Sequence, residues 1–170
     1  MTVRRTHKGG FTLVEILIVV IILGILAAIV IPQFTSASQD ARKNSLTSQL
    51  QTIRSQVELY KLQHLDQLPS SVTAATDWTS MTSQSKADGS MGVGSTFPFG
   101  PYLQAAPTNT LNGKTAILAV TTDQTLGAAL TGGTDKGFVI NTANGKIWAA
   151  SAKFGYVYDE SDASNPHNDN

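Results

Sequence analysis

The chain contains no cysteine. That excludes disulfide staples, thiolate metal sites and a cysteine nucleophile. Charge is scarce: Asp, Glu, Lys and Arg make up 14% of the 170 residues and cancel to zero. Nucleic-acid binding favours a clustered basic face, and no such face is indicated. Histidine is limited to His7, His64 and His167. Catalysis needs a nucleophile, a base and an orienting group, or a metal cluster, and no such motif stands out among the many Ser and Asp. The expectation is a non-enzymatic protein with no cofactor needed for chemistry. Gly113-Lys114-Thr115 ends like a phosphate-binding loop, but the first glycine would fall on Thr108 and a strand-like run follows. Asn112-Gly113 reads as a tight turn. The glycine-rich Gly89 to Gly94 neither follows a strand nor opens a helix.

What the chain does have is one long apolar run near its start. Residues 16–31 are uncharged and almost all large and apolar, and residues 11–14 extend the run past Glu15. The whole of residues 11–31 approaches the roughly 20 residues a bilayer helix needs. Ahead of it, residues 1–10 carry Arg4, Arg5 and Lys8 and no acidic residue. Without that leader the balance is nine basic against 12 acidic residues, a net of −3. In a secretory signal the small-residue cleavage site follows the apolar segment. Here the small residues, Gly9 and Gly10, precede it, so a cut after Gly10 leaves the apolar helix on the product. The positive leader keeps that end on the cytoplasmic side. Glu15 is costly within an apolar span, about 2.5–3.5 kcal/mol at a helix centre and less near an end. A compensating partner is therefore expected.

The stretch KGGFTLVEILIVVIILGILAAIVIPQF resembles the prepilin signature of type IV pilins and type II secretion pseudopilins. The likeness covers residues 8 to about 65 well and the remainder weakly. It implies that a membrane prepilin peptidase cuts between Gly10 and Phe11 and that Phe11 becomes N-methylated. Glu15 matches the family's glutamate, the fifth residue of the processed chain, and Pro32 its helix-bending proline. A free Phe11 amine would be a cation one turn from Glu15 on the same face. The pair can close within one chain or between neighbours, and the resemblance implies the second. Pro32 removes a backbone donor and clashes with the preceding turn, so a kink or local melting is expected there. Gly24 weakens the helix by about 1 kcal/mol relative to Ala, or else serves close helix packing.

Beyond Pro32 the pattern changes. Leu46, Leu50, Ile53, Val57, Tyr60 and His64 recur at helical spacing and predict one apolar face. Asp40, Arg42, Lys43, Gln49, Gln51, Arg54 and Lys61 are read onto the other face. Arg54 and Glu58 stand four apart, as an ion pair within a helix would. The helix is expected to end near Leu68-Pro69, with His64 as a packing residue. A helix from residue 11 to residue 64 would run roughly 80 Å at 1.5 Å per residue. That exceeds any bilayer, so its second half belongs outside, wrapped by the rest of the chain.

Six segments follow: a leader (residues 1–10), a transmembrane and assembly helix (11–31), an amphipathic half-helix (32–68), a variable loop region (69–114), an antiparallel sheet (115–158) and an acidic tail (159–170). The loop region reads as irregular, with one short helical turn and with Trp78, Met81 and Met91 pinning it down. PFGPYL at residues 98–103 is similar to the segment preceding the sheet in major pseudopilins. Runs at 115–121, 137–141 and 146–150 read as strands, with Thr142 to Gly145 as a hairpin turn and 154–158 as a fourth. The fold class is α+β: a long N-terminal helix packed on an antiparallel sheet of three to four strands.

The resemblance also implies a calcium ion near the C-terminal loops, held by oxygen ligands. Asp159, Glu160 and Asp162 are the candidates, and a solvated tail is the competing reading. The function it implies is that of a structural subunit of a type II secretion pseudopilus. The alternative is a type IV pilin forming a surface fibre for adhesion, motility or DNA uptake. The implied partners are further copies of the chain, the prepilin peptidase, an inner-membrane assembly platform, minor pseudopilins or pilins, and the membrane. The implied location is the inner membrane as a single-pass protein, with the C-terminal domain periplasmic. A single-span anchor carrying a binding module is the remaining class, and it predicts no processing and no multimer.

Overall fold

A computed structural model describes residues 10–75, 77–130, 135–153, 155–162 and 164–168. The chain divides into two units, Met1–Ser38 and Gln39–Asn170. One helix, α1 (Leu13–Gln63), is helical throughout both Gly24 and Pro32. The helix continues through Pro32, where a kink or local melting is expected. A proline costs its helix one hydrogen bond, and the turns on either side keep theirs. Thr35 and Ser36 donate back to the Ile31 and Pro32 carbonyls at 3.2 Å each. Such i−4 hydroxyl bonds satisfy backbone acceptors and often accompany a bend.

In the C-terminal unit α1 buries the expected face. Leu46, Leu50, Ile53, Val57 and Tyr60 are each at most 1% exposed, and His64 just past the helix is 0% exposed. Full burial of each such apolar side chain is worth about 1.5–3 kcal/mol. Lys43, read from sequence onto the solvated face, lies instead on the buried line. Its aliphatic stem makes that tolerable. The helix ends at Gln63 rather than near Leu68, because Leu65 and Asp66 both take left-handed backbone angles, φ 54° and 65°.

The segment read as one irregular loop is more ordered than expected. It holds two single-turn helices, α2 (Ser70–Thr73) and α3 (Thr79–Thr82), and a small hairpin, β1 (Gln84–Ser85) with β2 (Met91–Gly92). Trp78 and Met81 are buried in the main core, as expected, while Met91 is exposed. Helices this short have no periodicity to detect.

A second sheet contains β3 (Ile117–Val120), β4 (Phe138–Asn141) and β5 (Ile147–Ala149) in the order β3-β4-β5. The β4–β5 pair is antiparallel and closes through Asn141–Lys146, as the hairpin signal suggested. The β3–β4 pair is parallel. The sheet is therefore mixed rather than wholly antiparallel. Residues 121–137 supply a connection long enough to return the chain to the same end, as a parallel pair requires. The expected fourth run does not become a strand. Tyr156 and Val157 make only isolated bridges, to Ala129 and Ala150, and Phe154 lies outside the described residues.

Both faces of this sheet are buried. Ile117, Phe138, Ile140, Ile147 and Ala149 belong to the cluster that includes the α1 stripe. Val139, Trp148 and Ala150 face a second cluster with Leu130 and Val157, joined by Leu118, Val120 and Leu126. This two-sided burial explains why Phe138, Val139 and Ile140 of β4 are apolar in succession rather than alternating.

Candidate processing and assembly site

Gly10, Phe11 and Thr12 precede the helix, and all three are exposed. The Gly10–Phe11 peptide bond thus stands free of regular structure, two residues ahead of α1. Nothing lies within 4 Å of where a Gly10 Cβ would be. A protease can reach such a bond without unfolding anything. Thr12 occupies the N-cap position of α1. Its Oγ1 accepts from the Glu15 backbone N–H at 3.2 Å. Capping by a threonine hydroxyl stabilises a helix start by about 1 kcal/mol. Thr12 and Glu15 have the spacing of a capping box, and a carboxylate in the first turn is favoured by the helix dipole. The sequence reading passed over Thr12, although its Thr-x-x-Glu spacing was visible. Among the described residues no ion pair involves Glu15.

From Phe11 to Phe34 the large apolar side chains are exposed on all sides, with Phe11 at 79% and Leu13 at 82%. A helix hydrophobic all round belongs in a membrane or among other helices. Each large side chain left in water forgoes about 1.5–3 kcal/mol. Leu13–Gln63 carries a stretch long and apolar enough to cross a membrane, near the N-terminus. That segment is a candidate membrane anchor.

In the C-terminal unit the described tail residues 159–162 and 164–168 are tied to the rest of the unit. Arg54 donates to both oxygens of Glu160, at 2.8 and 2.5 Å, and twice to the Ile147 carbonyl. This replaces the expected Arg54–Glu58 pair; Glu58 instead meets Lys61 at 3.4 Å. Asn168, buried, accepts from the Asp159 N–H and donates to the Asp159 and Asp162 carbonyls at 3.0 Å each. The three candidate calcium ligands do not converge. Glu160 is engaged by Arg54. Asp159 accepts from the Ser161 and Asp162 N–H groups and from the Ser161 hydroxyl. Asp162 accepts from the Ser164 N–H and hydroxyl. The Ser161 hydroxyl, chiefly, holds the Asp159 carboxyl below its usual range. Among the described residues no three His, Asp or Glu side chains form a metal cluster. Asp159 and Asp162 share one turn and retain the oxygen chemistry calcium prefers; Glu160 does not join them.

His64 is the packing residue expected. It stacks on Tyr60 with ring centroids 3.7 Å apart, and its ring nitrogens lie 2.8 Å from the Tyr60 carbonyl and 2.9 Å from Ser85 Oγ. Asn109 is a buried hub with no sequence signal. Its amide nitrogen donates to the Gly137 and Ala150 carbonyls, at 2.8 and 2.7 Å.

An exposed Gly10–Phe11 bond, a capped helix start and a bare apolar helix surface thus lie together at the start of α1. A family described as the prokaryotic N-terminal methylation motif matches residues 5–31. The chain is also similar to type II secretion system core protein G of Pseudomonas aeruginosa, 42% identical over 59 residues, which is 35% of this chain and 42% of that protein. The corresponding protein of Aeromonas hydrophila is 32% identical over 81 residues, 42% of this chain and 57% of its own length. Competence protein ComGC of Halalkalibacterium halodurans is 34% identical over 68 residues, 40% of this chain and 66% of its own. The chain thus spans less than two thirds of these relatives. No solved structure matches it.

Proposed function

We propose that the chain is a structural subunit of a type II secretion pseudopilus, assembling through its N-terminal helix into a helical filament that helps move proteins across the outer membrane. The observation that carries this reading is the juxtaposition at the start of α1. An exposed Gly10–Phe11 bond precedes a Thr12-capped helix whose Glu15 carboxylate has no ion pair among the described residues and whose apolar surface is bare. In this reading a prepilin peptidase cuts that bond and Phe11 is methylated. The chain waits in the inner membrane as a single-pass protein with its C-terminal unit in the periplasm. It then joins an assembly platform, further copies of itself and minor pseudopilins. Glu15 of one subunit neutralises the Phe11 amine of the next, because a charge buried among apolar helices needs a close, hydrogen-bonded partner. Gly24 and Pro32 are the weak points at which the helix yields once packed. In this reading a calcium ion sits at Asp159 and Asp162.

The test is a Glu15→Ala variant. It is processed at Gly10 like the parent, but filament yield falls at least tenfold. Normal assembly by that variant contradicts the pairing. The similarity to a competence protein supports a second reading, a type IV pilin in a surface fibre. Long fibres released by shearing favour it, whereas processed protein confined to the envelope favours the pseudopilus.

A further inference from the structure

The Asn-Gly-Lys turn at residues 112–114 has a twin. Residues 109–114 read Asn-Thr-Leu-Asn-Gly-Lys and residues 141–146 read Asn-Thr-Ala-Asn-Gly-Lys. The backbone folds the same way in both. The first asparagine's N–H donates to the lysine carbonyl at 2.9 Å, and the glycine N–H donates to the first asparagine's carbonyl at 2.8 Å. Both glycines have positive φ, 71° and 78°. In each turn the lysine N–H donates to Oδ1 of the second asparagine at 3.0 Å. A donor on that oxygen stabilises the charge that develops there when the following glycine nitrogen attacks the amide carbon. The twins part at the amide nitrogen. Asn112 Nδ2 donates to the Lys136 and Ser151 carbonyls, at 3.0 and 3.4 Å. Asn144 Nδ2 donates instead to Asp123 Oδ1 at 2.7 Å, beside Asn141 Nδ2 at the same distance. The other Asp123 oxygen holds the Lys146 ammonium.

We infer that Asn144 is a self-modifying site, converted to aspartate or isoaspartate with loss of ammonia, while its twin Asn112 is kept as an amide. The bond from Gly145 N to Asn144 Cγ forms, and the Gly145 N–H proton passes to solvent. The Cγ–Nδ2 bond then breaks. The departing nitrogen takes one proton from Lys146 by way of Asp123, leaves as ammonia, and Lys146 recovers its proton from water. Water opens the resulting succinimide at either carbonyl, which leaves aspartate or isoaspartate at 144. The attack step is matched in the two turns, because both glycine N–H groups are tied to the same carbonyl position. Departure decides between them. Asn144 is exposed, and its leaving nitrogen is one carboxylate away from an ammonium. Asn112 is half-buried, and its nitrogen faces two carbonyls that have no proton to give. A carboxylate at 112 would also set acceptors against acceptors and strip both carbonyls of that donor. At 144 the Lys146 ammonium stands ready to offset the new charge. Glycine exposure alone orders the pair the other way, since Gly113 is exposed and Gly145 buried. The two accounts therefore predict opposite outcomes.

The test compares the twins within one chain. The full-length protein in detergent is incubated at neutral pH, digested, and the peptides holding Asn112 and Asn144 are followed by mass, with isoaspartate scored by enzymatic methyl transfer. A positioned general acid is worth about 10²–10⁴-fold, and relayed through a carboxylate on the order of tenfold is expected. Asn144 therefore converts about tenfold faster than Asn112 in the folded chain. In urea the two convert at like rates, because the hexapeptides differ only at Leu111 and Ala143. Equal folded rates, a faster Asn112, no conversion at either, or the same ratio in urea each overturn the inference. A second measurement uses Lys146→Gln, which keeps the backbone N–H and removes an exposed ion pair of small worth to stability. Conversion of Asn144 slows at least about threefold while that of Asn112 and the thermal unfolding are unchanged. An unchanged Asn144 rate in that variant overturns the assigned proton route and the inference with it.

Discussion

Arg54 and Glu160 form a two-pronged ion pair, 2.8 and 2.5 Å, across 106 residues of sequence. It ties the tail to the C-terminal part of α1. The guanidinium also holds the Ile147 carbonyl of β5, so one side chain joins the helix, the sheet and the C-terminal loop. The pair is partly open to solvent, with 36% and 18% of the side-chain surfaces exposed. Its worth therefore lies between that of a surface pair and that of a buried one. Arg54→Ala is expected to destabilise the detergent-solubilised chain by about 1–3 kcal/mol and Glu160→Gln by about 0.5–1 kcal/mol, since only the first loses the carbonyl bonds too. Thermal unfolding of both singles and the double gives the coupling between them.

Asp123 provides a pH handle. Lys146 first, then Asn144 and Asn141, hold its carboxyl at about 2, against 3.8 when unperturbed. Because the folded value is the lower one, the unfolded chain binds more protons between the two, and stability rises with pH there. The contribution is full above about pH 4 and fades as pH falls towards 2. Asp123→Asn should flatten that part of the acid limb, measured as unfolding midpoint against pH. The group is exposed, so the effect is small and weakens with salt.

Leu50 and Leu62 separate packing from surface. Leu50 is 0% exposed and Leu62 83%. Leu50→Ala should cost about 2–5 kcal/mol, from lost transfer energy plus a cavity. Leu62→Ala should stay within about 0.5 kcal/mol. Denaturant midpoints of the two variants check the contrast.

Calcium is tested by melting with the metal or with EDTA. A site at Asp159 and Asp162 raises the melting temperature when calcium is added, by mass action on the folded state. Equal melts in both conditions leave the tail to Arg54 and Asn168 alone.

Most of the α1 stripe was legible, because six residues at helical spacing name both the element and its buried face; Lys43, whose charge points to the solvated side, was not. The hairpin at Thr142 to Gly145 was legible too, since Gly145 takes φ 78° where glycine is the natural residue. What escaped were relationships between distant segments. Arg54 had a local candidate in Glu58, and nothing in the intervening chain favours Glu160. The parallel β3–β4 pair was hidden because a strand's composition does not state its direction. Asn109 looks in sequence like any loop asparagine, yet it joins two buried carbonyls. At the N-terminus the signal was dense and local, and there Thr12 alone was overlooked.

The central claim is that the chain is cut between Gly10 and Phe11, methylated on Phe11 and assembled through the exposed apolar helix. Mass analysis of the N-terminus, in protein recovered from the envelope and from the sheared fraction, tests it most directly. The account predicts a chain beginning at N-methylated Phe11 in the assembled material. Assembled protein that still carries residues 1–10 would contradict it.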